Sequence, residues 1–299
     1  MDGIVEDLTR LVGRTPLLRL RRLSPGAEVC GKLEYLNPGG SVKDRAALQM
    51  ITEAEESGRL KPGSTIIEAS SGNTGISLAM LAAARGYRCI IVMPEDMSLA
   101  RRQILKALGA EVVLTNAELG MTGAVERAAE VADATSDAFV ARQFQNPANA
   151  AAHFEHTGQE IWSATEGEIA AFVAGVGTGG TLTGVGRFLR QRRPDIEIIA
   201  VEPAGSAVLS GGEPGLHGIQ GLGAGFIPDI LDRDLITEVI QVKDQDAYRY
   251  SERLAREEGL LAGPSAGANV CAAVQVGHRL GKGKRVVTIL CDGYERYLS

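Results

Sequence analysis

The chain of 299 residues lacks the sequence features of several protein classes. It has no basic tract, and its formal net charge is −6, so we do not expect nucleic acid or an anionic membrane surface as a partner. The N-terminus has no charged region followed by an apolar stretch, and no apolar run is long enough to cross a bilayer. We therefore expect a cytoplasmic protein.

Cysteine and histidine are scarce, with four of each. No C-x-x-C pair occurs, so we expect buried free thiols in a reducing compartment. His153 and His156 lie near Glu155 but lack the spacing of zinc ligands, so we expect surface histidines on a helix and no metal site. No G-x-S-x-G segment occurs, and a serine hydrolase therefore has no support.

Glycine is abundant, at 37 residues, and it clusters between apolar runs that alternate in type. Continuous apolar strands between amphipathic helices indicate parallel sheets that are buried on both faces. This pattern predicts an open α/β fold of about two domains, with ligands at the carboxyl ends of strands. The predicted strands are 65–69, 89–93, 111–114, 170–174, 197–201 and 286–290, and the predicted helices are 46–57, 76–85, 98–108, 123–134 and 182–192.

The segment Asn37–Arg45 places one lysine, Lys43, after a glycine turn and immediately before a predicted helix. A lysine in this position can bind a phosphate as a point charge, or it can act as a nucleophilic amine that forms a Schiff base. Asp44 follows it instead of the Ser or Thr of a nucleotide P-loop, so the first use is disfavoured. For a single lysine the plainer interpretation is an exposed side chain at a helix start.

Two glycine loops follow strands and precede helices. The first, Ser70–Gly75, combines hydroxyl and amide side chains with backbone N–H groups that suit a carboxylate. The second, Gly175–Thr181, contains G-x-G-x-x-G, and Glu202 lies where a dinucleotide site has its acidic residue, so a nicotinamide oxidoreductase is an alternative. The threonines of this second loop suit a terminal phosphate better than a pyrophosphate.

These motifs together resemble the fold-type II pyridoxal-phosphate enzymes, and among them the O-acetylserine sulfhydrylases, or cysteine synthases. The resemblance runs from Gly13 to Ser299 and rests on the lysine segment, the asparagine loop and the glycine-threonine loop. It implies two open α/β domains with mainly parallel sheets, like the tryptophan synthase β chain, and pyridoxal 5'-phosphate in the cleft between them. It also implies a smaller mobile domain at 46–147 and a larger domain made of 1–45 and 148–299, with a turn cluster at Asn146–Asn149 near the boundary.

The resemblance also implies a role for individual residues. Lys43 would carry the cofactor and act as the catalytic base, Asn73 would contact the ring hydroxyl, and Ser265 would meet the pyridine nitrogen. The implied phosphate-binding residues are Gly177, Thr178, Gly179, Gly180 and Thr181, and the implied substrate-binding residues are Ser70, Ser71, Thr74, Gln143 and Gly221.

The activity implied is cysteine synthesis from O-acetylserine and sulfide, with loss of acetate and an α-aminoacrylate intermediate. A homodimer is implied, and so is a serine acetyltransferase whose C-terminal tail enters the active site. Some residues depart from the family pattern: Ser70 replaces a threonine, and Gly218 replaces a common lysine. An enzyme similar to cystathionine β-synthase, or one that uses O-phosphoserine, stays as an alternative, as does a catalytically silent binding protein on this fold.

Overall fold

The computed structural model describes residues 3–298. Met1, Asp2 and Ser299, which the predicted larger domain includes, lie outside the described residues. The described chain divides into two compact units, a smaller one of residues 3–12 and Asn37–Asn149 and a larger one of Gly13–Leu36 and Ala150–Leu298. These units differ from the predicted domains at residues 3–12, 37–45 and 148–149, which lie in the smaller unit. Mobility of the smaller domain stays a prediction.

Strands and helices alternate through most of the chain. The strands are β1 (Leu17–Arg19), β2 (Glu28–Leu33), β3 (Thr65–Ala69), β4 (Arg88–Pro94), β5 (Glu111–Thr115), β6 (Ala138–Val140), β7 (Ala171–Gly175), β8 (Glu197–Pro203), β9 (Glu238–Val242) and β10 (Arg285–Leu290). The helices are α1 (Lys43–Glu56), α2 (Asn73–Arg85), α3 (Leu99–Ala107), α4 (Gly120–Asp133), α5 (Ala148–Ala152), α6 (Gly158–Thr165), α7 (Gly180–Arg192), α8 (Asp244–Arg253) and α9 (Pro264–Leu280). Single π-helical turns follow α5 (His153–Thr157) and α8 (Leu254–Glu258). Within residues 3–298 no helix is long and apolar enough to cross a membrane.

The smaller unit contains a parallel sheet in the order β5-β4-β3-β6. Alternate strand residues pack on opposite faces. Ile66 and Ile91 join Met50 of α1 and Leu81 of α2 in one apolar cluster. On the other face, the neighbouring strand residues pack against small residues of α4, in a cluster that includes Ile67, Ile90, Val92, Ala124 and Ala128. Both faces are therefore covered, which confirms the predicted doubly buried parallel sheet.

The larger unit contains a sheet in the order β1-β2-β10-β7-β8-β9. Only the β1–β2 pair is antiparallel among the described strand pairs of this sheet. The long helix α9 is buried over most of its length, and its alanines and valines pack with strand residues such as Val173 and Val286. The α/β class with mainly parallel sheets is thus confirmed.

Strand β2 was not predicted from the sequence because Lys32 interrupts its apolar pattern. In the structure Lys32 is 1% exposed. Its Nζ lies 2.6 Å from Glu160 Oε2 and also donates to Thr15 Oγ1 at 2.7 Å. A buried ammonium is tolerated when it is paired and hydrogen-bonded in this way. The partner comes from a distant part of the chain, so the local pattern alone could not predict this strand.

Helix α7 approaches the turn His153–Thr157 closely at a glycine. A Cβ atom added at Gly184 would lie 2.2 Å from Ala150 O and 2.7 Å from His153 Cβ. Gly186, on the same helix, faces only Ile198 and Leu235 side-chain atoms, at 3.3 and 3.4 Å. The close contact at Gly184 therefore excludes any side chain.

We predict that Gly184→Ala lowers the free energy of unfolding by about 1–3 kcal/mol, because overpacking outweighs the gain of up to about 1 kcal/mol in helix propensity. Gly186→Ala gains the same propensity without backbone overlap and serves as the control. Urea unfolding with an unchanged m-value measures both. Equal unfolding free energies for the two variants would contradict the close approach.

Candidate functional site

The lysine segment is held in a fixed turn by the residue that follows Lys43. Gly40 has a φ of +77°, and its N–H donates to Asn37 O at 2.8 Å. The fully buried Asp44 accepts a hydrogen bond from Gly39 N at 2.6 Å and another from Ser77 Oγ of α2 at 2.5 Å. Because Asp44 bonds both the turn and α2, it brings the start of α1 and the first turns of α2 together.

Lys43 is the first residue of α1 rather than a loop residue before it. Likewise Asn73 is the first residue of α2 and Gly180 is the first residue of α7, whereas the predicted helices began two or three residues later. The first turn of an α-helix presents backbone N–H groups without intrahelical partners, which favours anionic ligands. The structure therefore places Lys43, Asn73 and Gly180 at helix N-termini.

The asparagine loop meets Gln143 inside the smaller unit. Thr74 Oγ1 donates to Gln143 Oε1 at 2.6 Å, and both side chains are buried. Ser70 Oγ accepts from Gly75 N at 3.0 Å and from Gly72 N at 3.3 Å, so it stabilises the loop itself. The contact of each of these side chains with a substrate stays a prediction.

An arginine that sequence analysis did not select also reaches this loop. Arg101 Nη1, from α3, donates to Ser71 O at 3.1 Å. The half-buried guanidinium therefore lies next to the predicted carboxylate receptor. No local signal identified it, because Arg101 lies in an ordinary amphipathic helix some thirty residues beyond the loop.

The glycine-threonine loop connects β7 to α7 in the larger unit. Gly179 is the N-cap of α7 with a φ of +84°, which favours glycine, and it has no side chain to cap the helix. Gly177 faces Gly221, whose carbonyl oxygen would lie 2.2 Å from an added Cβ. Gly177 and Gly179 let backbone N–H groups face an anion. Gly177 also lets the predicted substrate residue Gly221 lie against the loop.

His153 supports this loop and was wrongly predicted to be a surface residue. It is 2% exposed, whereas His156 is exposed as predicted. Its Nε2 lies 3.2 Å from Thr181 Oγ1, and its Nδ1 lies 2.9 Å from Thr157 Oγ1. The π-helical turn places His153 and Thr157 on the same face of the chain, so the imidazole orients one of the predicted phosphate ligands.

Ser265 is buried in the first turn of α9, which is anchored one turn later by Asn269. The Asn269 side chain accepts from Gly175 N at 2.7 Å and donates to Ile289 O at 2.9 Å. Asn269 thus joins the start of α9 to the carboxyl ends of β7 and β10. The sequence pattern indicated Ser265 but gave no signal for Asn269.

Glu202, the acidic residue of the dinucleotide alternative, is occupied within the protein. Its carboxylate accepts from Leu209 N at 2.8 Å, from Ser210 N at 3.1 Å and from Ser210 Oγ at 2.5 Å. The Glu202 side chain is 2% exposed, and it holds the loop that follows β8 in place. A ribose ligand would have to displace these three donors, so the structure does not favour a nicotinamide site.

Burial changes the acidity of two groups on β3 and β4. Desolvation raises the pKa of Glu68 to about 7, against the effect of hydrogen bonds from Arg142 and Gln143. Burial also raises the pKa of the Cys89 thiol to about 12. The predicted burial of the free cysteines holds for Cys30, Cys89 and Cys271, whereas Cys291 is partly exposed.

Comparison with known proteins matches this arrangement to one family. Residues 8–292 match the family model described as pyridoxal-phosphate dependent enzyme. A cysteine synthase of Staphylococcus aureus (strain Mu50) is 52% identical over 298 residues, covering 99% of this chain and 96% of that protein.

Solved structures give the same result. The crystal structure of cysteine synthase from Entamoeba histolytica superposes with a TM-score of 0.96 at 43% identity and covers 100% of this chain and 90% of that one. An O-ureido-L-serine synthase superposes with a TM-score of 0.97 at 45% identity and covers 99% of this chain and 94% of that one. With 285 of its residues matched by the family model and a half-identical relative along its length, the chain belongs to the pyridoxal-phosphate dependent enzymes.

Proposed function

We propose that this enzyme makes cysteine from O-acetylserine and sulfide and releases acetate. The observation that carries the proposal is the Asp44 link, which joins the helix that begins at Lys43 to the helix that begins at Asn73. This link supports the proposal because it would hold the proposed nucleophilic amine of Lys43 and the proposed carboxylate receptor within one unit. A β-replacement reaction of an amino acid requires this combination.

Pyridoxal 5'-phosphate, the cofactor of this family, fits the residues present. The N-terminus of α7, with its glycine N-cap and the hydroxyls of Thr178 and Thr181, suits a phosphate monoester. Asn73 would hold the ring hydroxyl and Ser265 would meet the ring nitrogen. When bound, the cofactor supplies an electron sink for negative charge at Cα.

The chain's own residues would then perform binding and proton transfer. Ser71, Thr74 and Gln143 hold the α-carboxylate, with Ser70 stabilising their loop. The Lys43 amine, released by the incoming amino acid, removes the Cα proton as the carbon–oxygen bond to acetate at Cβ breaks. Sulfide then forms the carbon–sulfur bond at Cβ, and Lys43 returns the proton to Cα. Because acetate leaves before sulfide reacts, this order of steps predicts ping-pong kinetics.

We predict that borohydride fixes the cofactor to Lys43 and that Lys43→Ala lowers cysteine formation by at least about 10²-fold, because the catalytic base is lost. Peptide mapping locates the label, and circular dichroism checks the fold. Lys61→Ala is the control, since Lys61 is exposed. A label on Lys61, or on Lys32 in its buried ion pair with Glu160, would refute the assignment.

The fold alone does not determine which leaving group the substrate carries at Cβ. One structural relative is an O-ureido-L-serine synthase, whose name indicates a substituent at Cβ other than acetate. The O-phosphoserine alternative likewise differs from our proposal in the group that leaves Cβ. The alternative similar to cystathionine β-synthase differs in the group that enters at Cβ. In the smaller unit Arg101 approaches the carboxylate loop, but its Nη1 is bonded to Ser71 O. We therefore assign Arg101 to the loop rather than to a dianionic leaving group.

We predict that kcat/KM for O-acetylserine exceeds that for O-phosphoserine by about tenfold or more, because a dianionic group without a cation lacks a charge-assisted hydrogen bond. Steady-state rates with each donor and sulfide measure this ratio. Homocysteine in place of sulfide tests the cystathionine alternative. If O-phosphoserine is preferred and Arg101→Gln abolishes that preference, the guanidinium serves the leaving group and our assignment is wrong.

We further propose a cytoplasmic homodimer that binds the C-terminal tail of a serine acetyltransferase. A terminal carboxylate can use the same donors of the Ser70–Thr74 loop as the substrate. Gly218 stands where the family often has a lysine, and its N–H is bonded by Asp244 Oδ2 at 2.5 Å. An acidic side chain at this point weakens the attraction of an acidic partner.

We predict that a short peptide with the acetyltransferase C-terminus, ending in isoleucine, binds and is displaced by saturating O-acetylserine. Titration followed by cofactor fluorescence measures its affinity, and Thr74→Ala should weaken both ligands. The missing lysine should cost on the order of 1 kcal/mol or less. No binding at millimolar peptide would place this enzyme outside such a complex, and failure of displacement would refute a shared carboxylate receptor.

A further inference from the structure

Glu68 is a carboxylate in the middle of the smaller sheet. It is the fourth residue of β3, which pairs with β4 on one side and β6 on the other. It is 3% exposed, although the rest of this strand is apolar or small apart from Thr65. None of the ion pairs among residues 3–298 includes Glu68. A buried carboxylate that forms no ion pair needs another source of stabilisation.

That stabilisation comes from two consecutive backbone N–H groups beyond the end of β6. Arg142 N donates to Glu68 Oε2 at 2.8 Å, and Gln143 N lies 3.4 Å from Oε1. The carboxylate therefore binds the backbone of this dipeptide through both oxygens. Hydrogen bonds to an ionised acceptor are stronger than those to a neutral one.

The dipeptide has a backbone conformation that needs such support. Arg142 has a φ of +52°, in the left-handed region that side chains disfavour. Its carbonyl oxygen accepts from Gln145 N and from Asn146 N, both at 2.9 Å, so the chain reverses immediately after the strand. A strained non-glycine residue persists where the surrounding structure over-determines it.

Gln143 is fixed by contacts on three sides. Its N–H faces Glu68, its carbonyl oxygen accepts from Asn149 Nδ2 at 2.9 Å, and its side-chain Oε1 accepts from Thr74 Oγ1. Oε1 is engaged by Thr74, and the side chain of Gln143 also hydrogen-bonds the Glu68 carboxylate. The amide nitrogen carries two N–H groups, so one can bond Glu68 while the other donates to a ligand. The direction of this donor thus depends on the backbone that Glu68 holds.

We propose that ionised Glu68 is a positioning residue for the substrate receptor: it holds the Arg142–Gln143 turn so that the Gln143 amide can donate to the α-carboxylate of the amino-acid substrate. This inference rests on the proposed function for the role of Gln143. Glu68 itself does not contact the substrate and acts only through Gln143. Because the carboxylate is buried in a hydrophobic sheet, solvent does not compete with the Arg142 and Gln143 N–H groups for its oxygens.

The titratable groups around Glu68 set the pH range of this effect. Arg142 is the cation that acts on it, and Cys89, from β4, faces it as a thiol whose raised pKa of about 12 keeps it neutral. Helix α2 offers only Arg85, at its far end and bonded to Glu55, and α4 packs on the opposite face of β3. Because burial raises the pKa of Glu68 from 4.5 to about 7, this carboxylate changes charge near neutral pH.

As the pH rises, the contribution of Glu68 to protein stability decreases, whereas its contribution to ligand binding increases. Between pH 4.5 and 7 the native state holds the Glu68 proton more tightly than the unfolded state. The contribution of Glu68 to stability is therefore present below pH 4.5 and is lost as the pH rises through 7. Ligand binding needs the ionised form and weakens as the pH falls through 7. A purely structural role would produce the first change alone.

The test uses the holoenzyme and L-alanine, which has the α-carboxylate but no leaving group. Its dissociation constant is measured by cofactor absorbance and by calorimetry for wild type, Glu68→Gln, Gln143→Ala and the double variant. Glu68→Asp keeps the charge but shortens the reach, and it replaces Glu68→Gln if that variant does not fold. Ile67→Val, the neighbouring residue of β3 on the opposite face, controls for general loss of stability.

We expect Glu68→Gln to raise the dissociation constant of L-alanine about tenfold at pH 8, since a charged hydrogen-bond acceptor is lost. The ratio of variant to wild type should approach one at pH 6, where wild-type Glu68 is protonated. In the Gln143→Ala background the same substitution should have little further effect, because the two residues act as one unit. Ile67→Val should leave the dissociation constant unchanged.

Additive effects of the two substitutions, or a ratio that does not change with pH, would overturn the proposal. L-alanine binding does not require turnover, so this result stands apart from the proposed function. An enzyme that binds L-alanine as expected but does not convert O-acetylserine and sulfide would retain the positioning role and lose the proposed reaction. KM for O-acetylserine should rise in Glu68→Gln with a smaller change in kcat, whereas a loss confined to kcat would contradict it.

Discussion

The geometry of the smaller unit depends on one buried carboxylate, that of Asp44. It accepts hydrogen bonds from the turn at Gly39 and from Ser77 of α2, and it is fully buried. Leaving a buried donor unpaired costs about 1–3 kcal/mol, and more for a charged group, so neither element can shift without losing these bonds. The starts of α1 and α2 are thereby locked together. Lys43 and Asn73 are each the first residue of one of these helices, so their relative position follows from Asp44.

The larger unit uses neutral groups for the same purpose. The Asn269 amide bonds β7 and β10 at once, and Gly177 allows the Gly221 backbone to approach where any side chain would overlap. Backbone amides at the carboxyl ends of parallel strands then face outward with helix N-termini beside them. An anion such as a phosphate needs this arrangement, and it needs no net positive charge on the protein. An acidic chain can therefore bind an anionic cofactor.

Buried polar side chains supply what the apolar packing of the sheets cannot. Apolar contacts are non-directional, so they hold strands and helices together without fixing the orientation of a loop. Lys32 with Glu160, His153 with Thr181, and Glu68 with Arg142 and Gln143 are directional contacts within otherwise apolar surroundings. In the last two cases the partner is a predicted site residue or its immediate neighbour.

The sequence by itself determined the α/β class, the strands with continuous apolar runs and the loops that carry the predicted site. Those features depend on local composition: β3 was predicted with its observed bounds because it is a short and mostly apolar run, and in the structure all five of its residues are buried. Strand β2, whose Lys32 is neutralised by Glu160, and helix α9, which is apolar on most of its circumference, gave no periodic signal. The resemblance added a role for each loop residue, and the family membership supports the cofactor on independent grounds. Only the tertiary structure revealed the supporting residues Asp44, Glu68, Arg101, His153 and Asn269, because each acts on a residue that is distant in sequence, and a hydrogen bond between distant residues leaves no trace in the spacing of either segment.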